Sequence, residues 1–163
     1  AEGLDIRGDA YVYEFSSWDV SGTGISVSMD NIKKVLQNPY VMVGSDSGLS
    51  ASGRAVHPRA YANAVAVLIR MVRDESVLRL EEAVQKMTSM PADRLGIETR
   101  GRLAKGMQAD IAVFRLEDLA ENATRSNPNQ MASGMYYVFV NGKAAIAAGE
   151  GTGSLNGQAI RHQ

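Results

Sequence analysis

The 163-residue chain contains no cysteine. That excludes disulfides, thiolate nucleophiles and cysteine-held zinc. It has two histidines, so no site can draw three imidazoles from it. An excess of either charge sign is also lacking: 17 basic side chains face 18 acidic ones, for a net charge of −1. A nucleic-acid footprint needs a clustered surplus of Lys and Arg, so no nucleic-acid partner is expected. No apolar run approaches the ~20 residues that span a bilayer, and the first residues lack the basic-then-apolar layout of a signal peptide. No membrane partner is expected, and the expected location is cytoplasmic. The chain opens on Ala1 rather than Met and reads as a piece of something longer. What it does have is length enough to bury one core.

The first hundred residues alternate between strand and helix patterns. Ile6 to Phe15, with Tyr11, Val12 and Tyr13, reads as a strand. Ser28 is placed to cap a helix whose apolar stripe is Ile32, Val35 and Leu36, and Asn38-Pro39 stops it. Tyr40 to Val43 is a short, wholly apolar run, the pattern of a parallel strand buried on both faces. Strand, helix, strand is a βαβ unit. A long helix follows from about Pro58 to Arg73, then a second from Leu80 to Met87 with apolar residues at i, i+3, i+4 and i+7. Pro91 to Leu95 is one more helical turn, and Gly96 suits the left-handed position that ends it.

From about residue 100 the pattern turns to β. Asp110 to Phe114 and Tyr136 to Val140 alternate, and Asn141-Gly142 is a hairpin signal. Glu117 to Gln130 reads as a polar loop, and Gly149 to Gln163 as an extended surface tail.

Asp46 is the first candidate for chemistry. It follows the apolar strand among glycines and serines, at the kind of strand end where α/β folds bind ligands. A carboxylate there can act as general base or as a metal ligand; the bland alternative is an Asx-turn residue. His57-Pro58-Arg59 is the second candidate. Arg59 opens a helix, where an anion is welcome, and can grip a carboxylate with two parallel bonds. Its bland alternative is an exposed Arg beside a helix-capping His. Tyr11, Tyr13 and Ser17 can bring hydroxyls to the end of the first strand, although aromatics in strands are more often core.

Several stretches, in order, carry a family resemblance. They are Val41-Met42-Val43-Gly44-Ser45-Asp46, His57-Pro58-Arg59, Leu80 to Thr88, Pro91 to Gly96, Arg100 to Phe114, Val138 to Gly142 and Gly151 to Gly153. Together they resemble the N-acyl-D-amino-acid deacylases, or D-aminoacylases, of the amidohydrolase superfamily, over residues 28 to 157. Asp9 to Tyr13 resembles that family's seventh barrel strand, with Val12 where the family usually has Pro.

The resemblance implies an α/β chain: the last βα units of a (β/α)8 amidohydrolase barrel over residues 1–99, then a small β-rich C-terminal subdomain over residues 100–163. It implies hydrolysis of the amide of N-acyl-D-amino acids by metal-activated water. Asp46 would end the eighth strand and be the catalytic acid/base, the metal-ligand role resting on its strand-end position alone. Arg59, with Tyr11 and Ser17, would bind the substrate carboxylate, and His57 would position that loop. Zinc is implied for the full family enzyme. The family's His-x-His pair, its further histidines and its metal-binding Cys are absent, so this chain alone is expected to hold no zinc and to be inactive.

Two units cannot close an eight-stranded barrel. A partner is therefore expected, either a complementary barrel chain or a second copy. The rival reading is a non-catalytic structural or interaction subunit that completes a barrel supplied by another chain. A third, an independent small hydrolase using Ser and Asp chemistry, has at most one useful His.

Overall fold

The computed structural model of the protein describes residues 3–16 and 26–160. Strand β1 (Gly8–Ala10) and strand β2 (Val41–Val43) pair in parallel, Gly8 opposite Val41 and Ala10 opposite Val43. Helix α1 (Met29–Gln37) makes the crossover between them. Its limits are locally dictated. The Ser28 side chain accepts from the Asn31 amide, and Asn38 leaves helical geometry just before Pro39. Ile32 and Leu36 turn inward, each contributing roughly 1.5–3 kcal/mol by burial.

Two strand expectations are corrected here. The first strand does not run from Ile6 to Phe15; only three of its residues pair. A ladder is as long as its partner, and β2 ends at Val43; the next amide, that of Gly44, donates to the Ala10 carbonyl at 3.1 Å. Residues 11–16 leave the sheet and carry their rings to the next layer. Nor is β2 buried on both faces: all three residues are half-buried. Among the described residues its sheet contains β1 alone beside it.

Helix α2 (Arg59–Val67) continues through wider, π-helical turns over Leu68–Asp74, so the long helix is present with a loosened end. Arg70 and Arg73 there both reach toward residues 116–121. Helix α3 (Leu80–Met87) starts where the Glu82 carboxylate accepts from the Arg79 amide at 2.9 Å. Helix α4 (Ser89–Arg94) ends at Gly96, which has a φ of 66°.

The rest is an antiparallel sheet in the order β3 (Ile111–Phe114), β4 (Met135–Val140), β5 (Lys143–Ala147), β6 (Glu150–Gly151). Asn141 and Gly142 both have positive φ, 49° and 79°, as a hairpin of type I′ requires. The tail is therefore not wholly extended on the surface, because Glu150–Gly151 joins the sheet. The polar loop is also corrected. Leu116–Asp118 forms a 3-10 turn, and Leu119 and Ala123 are buried. Single apolar residues in a polar stretch leave no periodicity to read.

One core runs through both halves. Val12, Tyr13, Leu36, Met71 and Ala83 share it with Leu119, and Phe114, Leu116 and Met135 pack against it. Among the described residues no helix is long and apolar enough to cross a membrane.

Candidate active site

Asp46 stands two residues beyond Gly44, at the carboxyl end of β2, with a left-handed φ of 44° that Asp tolerates better than most residues. A Cβ on Gly44 would meet the Asp9 carboxylate of the neighbouring strand, which would have to turn aside. The Asp46 side chain is 69% exposed. Its Oδ2 lies 2.8 Å from Nη2 of Arg59, whose side chain is only 5% exposed. Arg59 is the first residue of α2, and its guanidinium carbon sits 4.4 Å from the centre of the Tyr11 ring. Stacking on a ring is a geometry that a guanidinium suits and an ammonium does not.

His57 is buried beneath this pair. Its ring stacks on Phe15 with centroids 4.4 Å apart and meets Tyr13 edge-on at 5.1 Å. Nδ1 accepts from the Arg59 amide at 3.1 Å, which fixes the proton on Nε2, and Nε2 donates to the Phe15 carbonyl at 2.9 Å. Burial pushes the imidazole below its ordinary value, and the Arg59 and Arg125 charges push the same way against the Phe15 carbonyl. His57 is thus a neutral clasp between the start of α2 and the segment leaving β1.

The sequence-level candidates Asp46, His57, Arg59 and Tyr11 come together at one strand end. Arg59 is not exposed, which removes its bland alternative. Tyr13 is core, and burial followed by its hydrogen bond to Glu121 raises its phenol. Ser17, and the second histidine at position 162, lie outside the described residues.

Sequence reasoning missed Asn63, Phe15 and Arg125. Asn63 is buried one helical turn beyond Arg59. Its Nδ2 donates to the Gly44 carbonyl at 3.1 Å, and its Oδ1 accepts from the Val12 amide at 3.4 Å. A lone Asn in the apolar run from Ala62 to Ile69, four residues after Arg59 and so on the same helix face, was the signal available. Arg125 lies 4.5 Å over the Phe15 ring and comes from the loop between β3 and β4.

A hollow of about 340 Å3 opens beside this cluster, lined by Val43, Ser45, Ser47, Arg59 and Asn63 among others. A larger one, about 720 Å3, lies at the amino ends of the strands, among Arg7, Gln37, Met42, Glu82 and Lys86. It too gathers charged groups, with Arg7 paired to Asp5 and lying 5.0 Å over the Tyr40 ring, but its Arg7 and Asp5 side chains are 31% and 59% exposed, whereas Arg59 is 5% exposed. Among the described residues no three His, Cys, Asp or Glu converge on a point that could hold a metal ion. Both His57 nitrogens are engaged, whereas the Asp46 carboxylate is 69% exposed.

A sequence profile described as "Amidohydrolase family" matches residues 16–146. The chain belongs to the amidohydrolase family. It is similar to the N-acyl-D-glutamate deacylase of Alcaligenes xylosoxydans xylosoxydans, 40% identical over 117 residues, covering 72% of this chain and 24% of that protein. It is also similar to the crystal structure of a D-aminoacylase said to define a novel subset of amidohydrolases. That match has a TM-score of 0.71 at 32% identity and covers 78% of this chain and 27% of that one. A third likeness is to the N-acyl-D-glutamate deacylase of Bordetella bronchiseptica, solved with zinc and a phosphonate mimic of the tetrahedral intermediate. There the TM-score is 0.67 at 36% identity, covering 73% of this chain and 25% of that one. This amidohydrolase chain therefore spans 24–27% of the length of these relatives.

Proposed function

We propose that the chain supplies one wall of the active site of a metal-dependent amidohydrolase that cleaves the amide of N-acyl-D-amino acids. In this reading Asp46 takes the proton of the attacking water and passes it to the leaving amine. Arg59, with Tyr11 and Ser17, binds the α-carboxylate of the substrate, and His57 holds the loop that presents Arg59. The observation that carries the reading is the buried, ring-stacked Arg59 held 2.8 Å from an exposed carboxylate at a strand's carboxyl end.

The described residues do not fit a zinc centre, because they offer no cluster of donors. No step is routed through the metal here. Its other ligands would come from elsewhere, supplied by a complementary barrel chain or by self-association. The division into a barrel part, 1–99, and a β subdomain, 100–163, belongs to the same proposal. The second reading, a non-catalytic subunit completing a barrel, draws on β2, which is half-buried with one described neighbour.

Grafting this chain in place of the matching quarter of the Alcaligenes deacylase tests the first reading. The zinc-loaded graft should hydrolyse N-acetyl-D-glutamate in preference to the L enantiomer. Asp46→Asn should lower its kcat by about 10²–10⁴-fold, the usual worth of a positioned acid/base. A folded graft that is equally active with Asn at position 46, or inactive with either residue, would refute it and leave the second reading.

A further inference from the structure

We propose that Asn129, in the loop between β3 and β4, is a positioning residue for Asp46: it clasps the small hairpin that follows Asp46 and so fixes where that carboxylate stands. The inference deepens the proposed function and rests on it for the reaction that Asp46 serves.

The hairpin comes first. Leu49 and Ala55 pair as antiparallel neighbours, and the Ser50 amide donates to the Arg54 carbonyl at 2.8 Å. When flanking residues make the ladder bonds in this way, the N–H and C=O of Ala55 point away from Leu49. Both go to one side chain. The Ala55 amide donates to Asn129 Oδ1 at 2.8 Å, and Asn129 Nδ2 donates to the Ala55 carbonyl at 3.0 Å. A side-chain amide carries the same acceptor and donor as a peptide group, so Asn129 stands in for a further strand. Ala55 is 4% exposed, and without Asn129 its two backbone groups would be buried and unpaired. Residues 45–54 are all exposed, so the clasp holds the hairpin at its one buried residue.

The clasp has a firm base. Ala120 and Ser133 exchange two backbone hydrogen bonds, of 3.1 and 3.0 Å, and Asn122 Nδ2 donates to the Met131 carbonyl at 2.9 Å. Glu121 accepts from Tyr13 and Arg70. The loop carrying Asn129 is thus braced across its neck and tied to the segment leaving β1. Asp46 is 69% exposed, so its pairing with Arg59 is a modest restraint. Its backbone depends on what fixes the chain on either side, β2 before it and the clasp after it. The later half of the chain thereby sets the geometry of a carboxylate carried by the earlier half.

Two readouts test this. In the chain itself, backbone 15N relaxation reports the order of residues 45–55. Order parameters at Asp46 and Ser47 should fall from the rigid range, about 0.85, to below about 0.6 in Asn129→Ala. Asn129→Asp keeps the shape and the acceptor for the Ala55 amide but loses the donor. It should give a smaller fall, and it decides the matter if the alanine variant does not fold. In the zinc-loaded graft, Asn129→Ala should lower kcat about 10–100-fold, as a small misplacement of a reacting group does, with KM unchanged. In an Asp46→Asn background the same substitution should change kcat by less than about twofold, since the residue it acts through is gone. A general loss of folding would lower both backgrounds alike. Unchanged order at Asp46 and Ser47 in a folded variant would overturn the proposal, as would an equal loss of kcat in both backgrounds. If the order falls and the graft with native Asn129 and Asp46 is inactive, the clasp stands and the deacylase reading falls.

Discussion

At the amino end of the β1–β2 pair one buried side chain, Lys86 of α3, donates from Nζ to the Asn38 and Val41 carbonyls at 2.7 and 2.8 Å. At the carboxyl end Asn63 of α2 bridges the Gly44 carbonyl and the Val12 amide. Both residues give side-chain hydrogen bonds to backbone groups at the ends of a three-residue ladder, although the Asn38 carbonyl also accepts from the Val41 amide at 3.1 Å. They differ in what stands beside them. Lys86 spends its charge on carbonyls, and burial pushes its ammonium below the usual value. Asn63 is neutral, so the charges at its end, Arg59 and Asp46, are directed at each other and outward. The larger hollow lies at the Lys86 end and the proposed site at the Asn63 end. On that proposal, the kind of side chain that closes a strand end matters more than the size of the space beside it.

This contrast can be broken by substitution. The largest effect is expected for His57→Ala, which empties a site among three aromatic rings and should cost about 3–4 kcal/mol of unfolding free energy, as for other buried rings. Denaturant unfolding measures it, and amide shifts should change around Asp46 and Arg59 but not around Lys86. Lys86→Met comes next. The Val41 carbonyl loses its Lys86 donor while the Asn38 carbonyl keeps the Val41 amide, at about 1–3 kcal/mol, while acetate binding at Arg59 should be unchanged. If that affinity falls as well, the two ends are coupled and the contrast fails. The smallest effect is a pH dependence. Burial holds the His57 imidazole of the folded chain below its ordinary value, so the unfolded state takes up its proton first as pH falls. Stability from this group is complete above about pH 6.5 and declines as the pH drops from there through the lower folded value. Unfolding midpoints of the native chain and of His57→Gln, followed over that window, should converge at acid pH if His57 is the cause.

What the sequence disclosed was mostly what neighbours along the chain decide. Ser28 as a cap, Asn38-Pro39 as a stop, Gly96 at a helix end and Asn141-Gly142 in a hairpin each depend on a few adjacent residues, and each is found as expected. The length of β1 was misread because it depends on where β2 ends. The half-burial of β2 was misread because an apolar run reports what a strand can tolerate, not what covers it. Leu119 and Ala123 were hidden because an isolated buried residue makes no pattern. At the site, Asp46 and Arg59 could each be named from their positions after a strand and at a helix start. That they form an ion pair, and that Tyr11 and Phe15 lie beneath them, required the crossover to be folded.

The Tyr13 hydroxyl donates to Glu121 across 108 residues, and Arg70 donates to the same carboxylate across 51. During synthesis the chain emerges amino end first. Tyr13, Arg70 and the apolar residues around them must therefore wait, uncovered, until Leu119 and Glu121 have left the ribosome. The order of translation sets a period in which the ring-rich face behind the site stands open to other chains, and it closes only when the 116–121 turn arrives.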